Sequence, residues 1–263
     1  MCGFFLSQRQ DASSSSRLLK HRGPDHYKTY QDNYLSINNY RLAIVDQNKE
    51  TTHPTISKSG NTLITFNGEI YNYLELKKKY KLKPLLNTES HILVEFFDKF
   101  GITKLKELNG MFSFIFYNLK TRKVAFFRDR FGIKPLNYTF INNNIYAASE
   151  IKPLLHLRRK KKIKNNIIEK DSAINFLFRA RINHDKYTFF KGIYSILPGH
   201  YLLFNLKNNK HFIKRYYFIK NKKITNMKYE IQLEKIFKKK MNLYSTTKRN
   251  SGVLLSGGGD STL

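Results

Sequence analysis

The sequence has little cysteine, few acidic residues and no long hydrophobic run. Its single cysteine excludes an internal disulfide framework and fits a reducing compartment. No apolar run approaches the ~18 residues that a membrane-spanning helix requires, and the apolar stretch after Met1 is too short for a signal peptide. Hydrophobic residues still make up 41% of the 263 residues, enough to bury a core, which excludes wholesale disorder. We therefore expect a soluble cytoplasmic protein.

The shortage of acidic residues leaves a formal charge of +29, from 48 Lys and Arg against 19 Asp and Glu. Lysine supplies 35 of the 48 basic residues, and the lysines are spread along the chain in short groups. Nucleic-acid-binding proteins more often concentrate basic residues on one element and interleave them with aromatics. We interpret the charge as the composition typical of an AT-rich genome and expect no specific nucleic-acid partner. The basic run at 158–166 is interpreted as a solvated loop.

Hydrophobic patterns predict a domain in which strands dominate the first 150 residues. Strands are predicted at 3–6, 34–46, 61–66, 111–117, 123–128, 136–141 and 145–148. Helices are predicted at 17–20, 71–80, 89–100, 168–178 and 229–244, and a turn between two strands within 193–204. Strands interspersed with a few helices indicate an α+β layered fold.

The position of Cys2 allows two interpretations. Free cysteine is usually a small buried hydrophobe. If Met1 is removed, however, Cys2 carries a free α-amine with a pKa of roughly 7.7–8.0 beside its own thiol of about 8.5, so the amine can accept the thiol proton. Nucleophile and base then share one residue, the arrangement of N-terminal-nucleophile enzymes.

Cys2 belongs to the first of several short motifs that occur in a fixed order along the chain. They are Met1-Cys2-Gly3, His21-Arg22-Gly23-Pro24-Asp25, Arg41-Leu42-Ala43-Ile44-Val45-Asp46, Phe66-Asn67-Gly68-Glu69-Ile70-Tyr71-Asn72, Leu108-Asn109-Gly110-Met111-Phe112, Arg128-Asp129-Arg130-Phe131-Gly132-Ile133-Lys134-Pro135-Leu136, Ala148-Ser149-Glu150-Ile151-Lys152 and Leu197-Pro198-Gly199-His200-Tyr201. Together they closely resemble the glutaminase half of glutamine-hydrolysing asparagine synthetase, a class II glutamine amidotransferase. The resemblance implies a four-layer αββα N-terminal-nucleophile hydrolase domain at 1–215, then a linker helix and the start of an ATP-binding domain at 216–263.

The resemblance assigns roles in glutamine hydrolysis. Cys2 would attack the side-chain amide carbon, and the Asn67 side chain with the backbone N–H of Gly68 would form the oxyanion hole. Without the surrounding motifs, Asn67-Gly68 is an ordinary turn. The remaining glutamine-binding residues would be Arg41 for the α-carboxylate, Glu69 and Glu89 for the α-ammonium, and the backbone of Leu42, Ala43, Ile44 and Val45 as pocket lining. The alternative for Arg41 is a surface arginine on a strand.

Position 89 departs from the family pattern. Asp is usual there, in a Ser-Asp-x-Glu type run, whereas this chain has Glu89 followed by Ser90 and His91. Glu89 is one methylene longer and must retract to reach the same ammonium, and His91 replaces a glutamate. We predict weakened glutamine binding with the nucleophile intact.

The last residues resemble the family's pyrophosphate-binding loop, with a strand expected at 253–255. The residues that match an ATP site are Leu254, Ser256, Gly257, Gly258, Asp260 and Ser261, while Gly259 stands where the family has leucine. We expect a chain that stops at the start of its synthetase domain and cannot complete this site. It could be one product of a split gene, a truncated or frameshifted remnant, or a fragment of a longer product. ATP and Mg would act only with the rest of that domain, and the glutaminase half-reaction needs no cofactor or metal.

These expectations converge on hydrolysis of glutamine to glutamate and ammonia, the ammonia normally serving ATP-dependent conversion of aspartate to asparagine. Two alternatives stay open: a related amidotransferase that modifies a surface-sugar carboxylate, and a non-catalytic remnant or binding subunit. Besides glutamine, the partners considered are a separate synthetase chain and a second copy of this chain. No membrane partner is expected.

Overall fold

The computed structural model describes residues 2–9, 13–44, 49–163, 167–182, 185–219, 229–244, 252 and 254–259. The chain forms two compact units, one of residues 1–42 and 48–219 and the other of residues 43–47 and 220–263. None of the helices in the described ranges is long and apolar enough to cross a membrane.

The first unit contains every strand of the described residues. In chain order these are β1 (Gly3–Gln8), β2 (His26–Gln31), β3 (Leu35–Arg41), β4 (Thr55–Ile56), β5 (Thr62–Ile70), β6 (Gly110–Asn118), β7 (Lys123–Arg128), β8 (Asn137–Ile141), β9 (Asn144–Ala148), β10 (Tyr194–Ser195), β11 (His200–Asn205) and β12 (His211–Arg215). They form two six-stranded sheets with antiparallel pairing throughout. The first sheet has the order β10-β8-β9-β1-β3-β2 and the second the order β12-β11-β7-β6-β5-β4.

The helices complete the architecture. They are α1 (Ser13–Ser16), α2 (Tyr73–Tyr80), α3 (Glu89–Phe100), α4 (Ile151–Lys160), α5 (Lys170–Arg179) and α6 (Tyr229–Tyr244). Short 3-10 turns span Arg17–Arg22, Lys49–Thr51 and Leu105–Glu107. Helix α6 belongs to the second unit.

Three buried clusters show how the layers stack. One joins residues of both sheets, including Phe4 and Phe126, and fills the space between them. A second packs Phe97 of α3 against the outer face of the second sheet. The third packs Leu154 of α4 against Phe5 on the outer face of the first sheet. The order helix, sheet, sheet, helix confirms the predicted αββα arrangement.

The burial of β1 follows from this stacking. All six of its residues are buried, because β1 is an inner strand whose two faces are both covered. Alternate side chains point into different layers, Phe4 and Leu6 toward the second sheet and Phe5 toward α4. A strand that carries apolar residues on both faces reads in sequence as the continuous apolar run seen at 3–6.

Several elements differ from the predictions. Strand β3 ends at Arg41 instead of reaching residue 46, and residues 17–20 form a 3-10 turn. The predicted strand at 253–255 is not formed by the described part, where Leu254 and Leu255 are irregular, and Val253 lies outside the described residues. Strands β2, β4 and β12 were not predicted.

The interpretation of 158–166 as a solvated loop is wrong for its first residues, which end α4. Arg158 is buried, and its Nη1 donates to Thr139 Oγ1 at 3.1 Å. The same guanidinium packs against Gly192, where an added Cβ would lie 3.0 Å from it. The first basic residues of this run therefore form the end of an amphipathic helix, in which Arg158 points inward.

A loop between β7 and β8 is folded by two adjacent charged side chains. The Asp129 carboxylate accepts backbone N–H groups from Phe131, Ile133 and Lys134 at 2.9–3.0 Å. The Arg128 guanidinium donates to the carbonyls of Gly132, Lys134 and Ile196 at 2.8–3.1 Å. Because these partners are main-chain atoms, the pair defines the loop's path and brings Lys134 into a buried position.

Replacing Asp129 with alanine should destabilise the protein, because three N–H groups lose their acceptor inside the fold. We expect the free energy of unfolding to fall by about 2–4 kcal/mol, measured by chemical denaturation. The matched control is Asp171→Ala on α5, where the aspartate is exposed and the change should stay below about 1 kcal/mol. Equal losses in the two variants would contradict this account of the loop.

Candidate functional site

The layer between the sheets changes from apolar to polar along the strands. Positions two apart on a strand share a face, so the inward-facing series of each strand can be followed beyond its apolar part. The inward positions beyond the buried apolar residues are Cys2, Asn39, Arg41, Thr65, Asn67, Ser113 and Arg128. Asn67 lies opposite Ser113, and Ser113 lies opposite Arg128. The predicted nucleophile and oxyanion residues therefore lie at one polar end of this layer.

The backbone around Cys2 is held by side chains from distant motifs. Arg22 Nε donates to the Cys2 carbonyl oxygen at 3.0 Å, and Arg22 Nη1 pairs with Glu150 Oε1 at 2.8 Å. Ser149 closes the start of β1, since its Oγ accepts the Phe4 N–H and its own N–H donates to the Phe4 carbonyl, both at 3.1 Å. These bonds keep Cys2 in place next to the sheet.

The Cys2 thiol is half-buried, with Sγ 3.7 Å from the carbonyl oxygen of Leu42. Burial raises the pKa of the thiol, and the positive charge of Arg41 acts in the opposite direction. The net shift favours the protonated thiol, so a nucleophilic role for Cys2 requires a base to remove its proton.

Asn67 is fully buried, and neither its Oδ1 nor its Nδ2 has a hydrogen-bond partner among the described residues. A buried carboxamide without partners costs free energy and is rare in folded proteins, which marks this position as a place where a polar ligand group fits. The next residue, Gly68, has a φ of +136°, and a Cβ there would lie 1.9 Å from the Met111 carbonyl oxygen. Only glycine fits at position 68.

Two carboxylates lie near this end of the layer. Glu89 is the first residue of α3, and its Oε1 accepts the Ile70 N–H. Burial raises the pKa of Glu89 to about 8, and the negative charge of Glu69 adds to the shift. Burial also raises the pKa of Glu69, opposed by the charge of Lys134. The two acids form a site that favours a cation.

Two buried cations balance these acids. Arg41 is 7% exposed at the end of β3, and its charge lowers the pKa values of both Cys2 and Glu89 against the effect of burial. Lys134 is also 7% exposed; burial lowers its pKa, whereas the charge of Glu69 raises it. Lys134 lies within the Arg128–Leu136 motif, but no role was predicted for it from the sequence.

His91 stands where the family has a glutamate, and its contacts at the start of α3 show its role here. Thr88 precedes the helix, and its Oγ1 lies 2.9 Å from His91 Nδ1. Burial lowers the pKa of His91, so the ring is held in its neutral form. His91 therefore joins the local structure at the helix start.

The other predicted site residues are distributed as follows. Leu42 is half-buried in the first unit, Ala43 and Ile44 belong to the second unit, and Val45 lies outside the described residues. In the predicted ATP loop, Leu254 and Ser256 are irregular, Gly257 has a φ of +78°, and the Gly258 N–H donates to Ser256 Oγ at 3.4 Å. Asp260 and Ser261 lie outside the described residues.

The described ranges contain no group of three or more His, Cys, Asp or Glu residues that could hold a metal ion. The site's chemistry is that of a thiol, a carboxamide, two acids and two buried cations.

Comparison with known proteins gives a family for this chain. Residues 1–217 match the model of the glutamine amidotransferase domain. The chain is 29% identical over 231 residues to a Methanocaldococcus jannaschii protein named for glutamine-hydrolysing asparagine synthetase, with 80% of this chain and 43% of the relative matched. It is 34% identical over 197 residues to asparagine synthetase (glutamine-hydrolysing) 2 of Bacillus subtilis, with 73% of this chain and 26% of the relative matched. The chain thus spans less than half the length of either relative.

The solved structures support the fold. Glutamine phosphoribosylpyrophosphate amidotransferase of Bacillus subtilis superposes with a TM-score of 0.54 at 13% identity, over 82% of this chain and 49% of the other. At this identity the likeness shows the fold alone.

The raised pKa of Glu89 predicts a pH-dependent stability difference between the wild type and Glu89→Gln. The neutral carboxyl stabilises the fold fully below the usual pKa of about 4.5, and this stabilisation is lost as the pH rises through about 8. Glutamine is neutral at every pH. Relative to the variant, the wild type should therefore lose stability between pH 4.5 and pH 8 and then level off, as measured by chemical denaturation.

The matched control is Glu75→Gln, at an exposed position on α2, which should show no such slope. A difference between wild type and Glu89→Gln that is constant from pH 4.5 to pH 8 would show that Glu89 ionises normally.

Proposed function

The chain belongs to the glutamine amidotransferase domain family, and on this premise we propose that it hydrolyses glutamine to glutamate and ammonia with Cys2 as the nucleophile. The observation that carries the proposal is the fully buried Asn67 carboxamide, which has no partner among the described residues and lies at the same polar end of the inter-sheet layer as Cys2. A structural asparagine in this position would be expected to satisfy its own hydrogen bonds.

Before any turnover, hydrolysis of the Met1–Cys2 peptide bond removes Met1 and frees the α-amine of Cys2. This amine accepts the thiol proton, and Sγ attacks the side-chain amide carbon of glutamine. The tetrahedral intermediate collapses with cleavage of the carbon–nitrogen bond, and the leaving nitrogen takes the proton and departs as ammonia. Water then attacks the thioester, releasing glutamate and restoring the thiol. The raised pKa of the thiol makes the neighbouring base necessary.

The negative oxygen of each tetrahedral intermediate needs donors that are in place beforehand. The proposed donors are Asn67 Nδ2 and the backbone N–H of Gly68. The glycine permits the backbone to take the φ of +136° at this point, where a side chain would strike the Met111 carbonyl. A donor held in a buried site acts without reorganising at the moment of reaction.

Recognition of the amino-acid end of glutamine is proposed to use the remaining charges. Arg41 would bind the α-carboxylate through charge-assisted hydrogen bonds. Glu69 and Glu89 would bind the α-ammonium, whose positive charge relieves the repulsion between them. The backbone of Leu42, next to Arg41 in the first unit, is proposed to line the pocket.

The proposed destination of the ammonia is the ATP-dependent amidation of aspartate, which the names of the relatives suggest. The sequence predicts that Leu254, Ser256, Gly257, Gly258, Asp260 and Ser261 contribute to an ATP and Mg site only together with the rest of the synthetase domain. In the structure, residues 254–258 are irregular and the Gly258 N–H is directed at Ser256 Oγ. Converging N–H groups are what a phosphate requires, so the described segment does not fit a nucleotide and we derive no step through ATP.

Incubation of the full chain with glutamine tests the proposal. Glutamate release should be abolished in Cys2→Ala, with intact-mass analysis confirming that Met1 is absent. Because Cys2 is the only cysteine, one equivalent of a thiol-alkylating reagent should inactivate the wild type with a single mass increment. Release at the wild-type rate by Cys2→Ala would contradict Cys2 as the nucleophile. No release from a wild type that lacks Met1 would contradict a glutaminase role.

Shortening the acid at position 89 should strengthen glutamine binding. In Glu89→Asp we expect a lower KM for glutamine with little change in kcat, because the shorter acid leaves more room for the ammonium and the reacting atoms are untouched. Glu75→Asp on α2 serves as the matched control. A higher KM in Glu89→Asp would show that the present glutamate is already the better partner.

A further inference from the structure

Two more polar side chains near Asn67 each have a buried oxygen without a hydrogen-bond partner among the described residues. Ser113 is the residue of β6 that faces Asn67 across the β5–β6 ladder, and its Oγ is buried with no hydrogen-bond partner among the described residues. On the first sheet, Asn39 Nδ2 donates to Thr65 Oγ1 at 2.8 Å, while Asn39 Oδ1 is buried and without a partner. Thr65 precedes Asn67 by two positions on the same face of β5.

These atoms belong to one place in the fold. Residues directly opposite in an antiparallel pair have Cβ atoms about 4.5–5.5 Å apart, and residues two apart on a strand about 7 Å. Asn67 and Ser113 thus lie side by side on the second sheet, and the Asn39–Thr65 hydrogen bond connects the first sheet to the same face of β5, two positions away from Asn67. Leaving each of the three buried oxygens without a hydrogen bond would cost about 1–3 kcal/mol, so a hydrogen-bond partner shared by the three groups would stabilise the fold.

The hydrogen-bonding capacities of the three groups are complementary to one water molecule. The two amide oxygens can only accept, whereas the serine hydroxyl can donate. A water that donates to Asn39 Oδ1 and Asn67 Oδ1 and accepts from Ser113 makes three hydrogen bonds, the usual number for a buried water. Asn67 Nδ2 then remains without a partner among the described residues and is available as a donor to the oxyanion.

We propose that Ser113 is a positioning residue that orients the Asn67 carboxamide through a buried water shared with Asn39. The inference rests on the proposed glutaminase function and deepens it. An amide can present either its oxygen or its nitrogen to a neighbour, and only the nitrogen stabilises an oxyanion. Anchoring the oxygen on the far side selects the productive orientation. Ser113 touches neither the substrate nor Cys2 in this scheme.

The kinetic test is a double-mutant cycle on glutamine hydrolysis. Ser113→Ala should lower kcat by about tenfold with KM unchanged, since the oxyanion forms only in the transition state, and Asn67→Ala should lower kcat by about 10²–10³. In the Asn67→Ala background, Ser113→Ala should have no further effect, because its action passes through the missing amide. Ser113→Thr, which keeps the hydroxyl, should stay close to the wild type.

The matched control is Ser7→Ala. Ser7 Oγ is also buried and without a partner among the described residues, but it lies on the face of β1 that is turned away from the second sheet. That variant should keep the wild-type kcat. Equal losses of kcat from Ser113→Ala in the wild-type and Asn67→Ala backgrounds, or a change confined to KM, would overturn the positioning role.

A crystal structure of the full chain supplies a readout that does not depend on activity. An ordered water within about 2.7–3.2 Å of all three oxygens supports the proposal, and a direct bond between Ser113 and Asn67 with no water overturns it. If the water is present but hydrolysis does not require Cys2, the proposed Cys2 mechanism has failed, and with it the catalytic role of the bridge. If hydrolysis requires Cys2 but Ser113→Ala is fully active, only the positioning role is lost.

Discussion

The layer shared by the two sheets is the constraint on which the rest of the molecule depends. Each strand that borders it must direct every second side chain inward, so a few positions decide both the stability and the chemistry of this layer. At one end those positions hold residues such as Phe4 and Phe126, whose burial stabilises the sandwich. At the other end they hold the half-buried Cys2 together with Asn67 and Ser113, and the burial of the Asn67 and Ser113 side chains without partners among the described residues costs free energy. The candidate functional site thus lies at the end of the layer where buried polar side chains lower the stability of the fold.

Charged side chains maintain the backbone geometry around this costly end by binding main-chain atoms. Arg22 holds the Cys2 carbonyl, and its partner Glu150 orients the guanidinium. Arg128 and Asp129 together bind six main-chain groups around the loop that carries Lys134. Arg22 and Arg128 join segments far apart in sequence through Glu150 and Ile196, whereas Asp129 binds within its own loop. The ordered motifs of the sequence are thus largely structural, with the reactive groups in the minority.

The inner strands β6 and β7 and helix α3 could be predicted from the sequence, whereas the edge strands β2, β4 and β12 could not, for a physical reason. The β6–β7 hairpin and α3 agree closely with the predicted ranges, because burial imposes a clear apolar pattern on them. Strand β2 lies at a sheet edge and is mostly exposed, so its residues carry no alternation. The inward turn of Arg158 and the convergence of Asn39 with Thr65 depend on contacts across 19 and 26 residues, which no local pattern reports.

The electrostatics of the site connect ligand binding to proton movement. Burial and the neighbouring Glu69 favour the neutral form of Glu89, so near pH 7 this acid carries a proton for much of the time. A bound α-ammonium would add a positive charge at the same place and lower the pKa of Glu89, which releases that proton. Binding affinity for an amino acid would therefore rise with pH until Glu89 is ionised in the free protein. Desolvation of the two carboxylates costs free energy in the protein without ligand. Because only a positive charge would offset that cost, the same burial would make the acid pair selective for a cationic group.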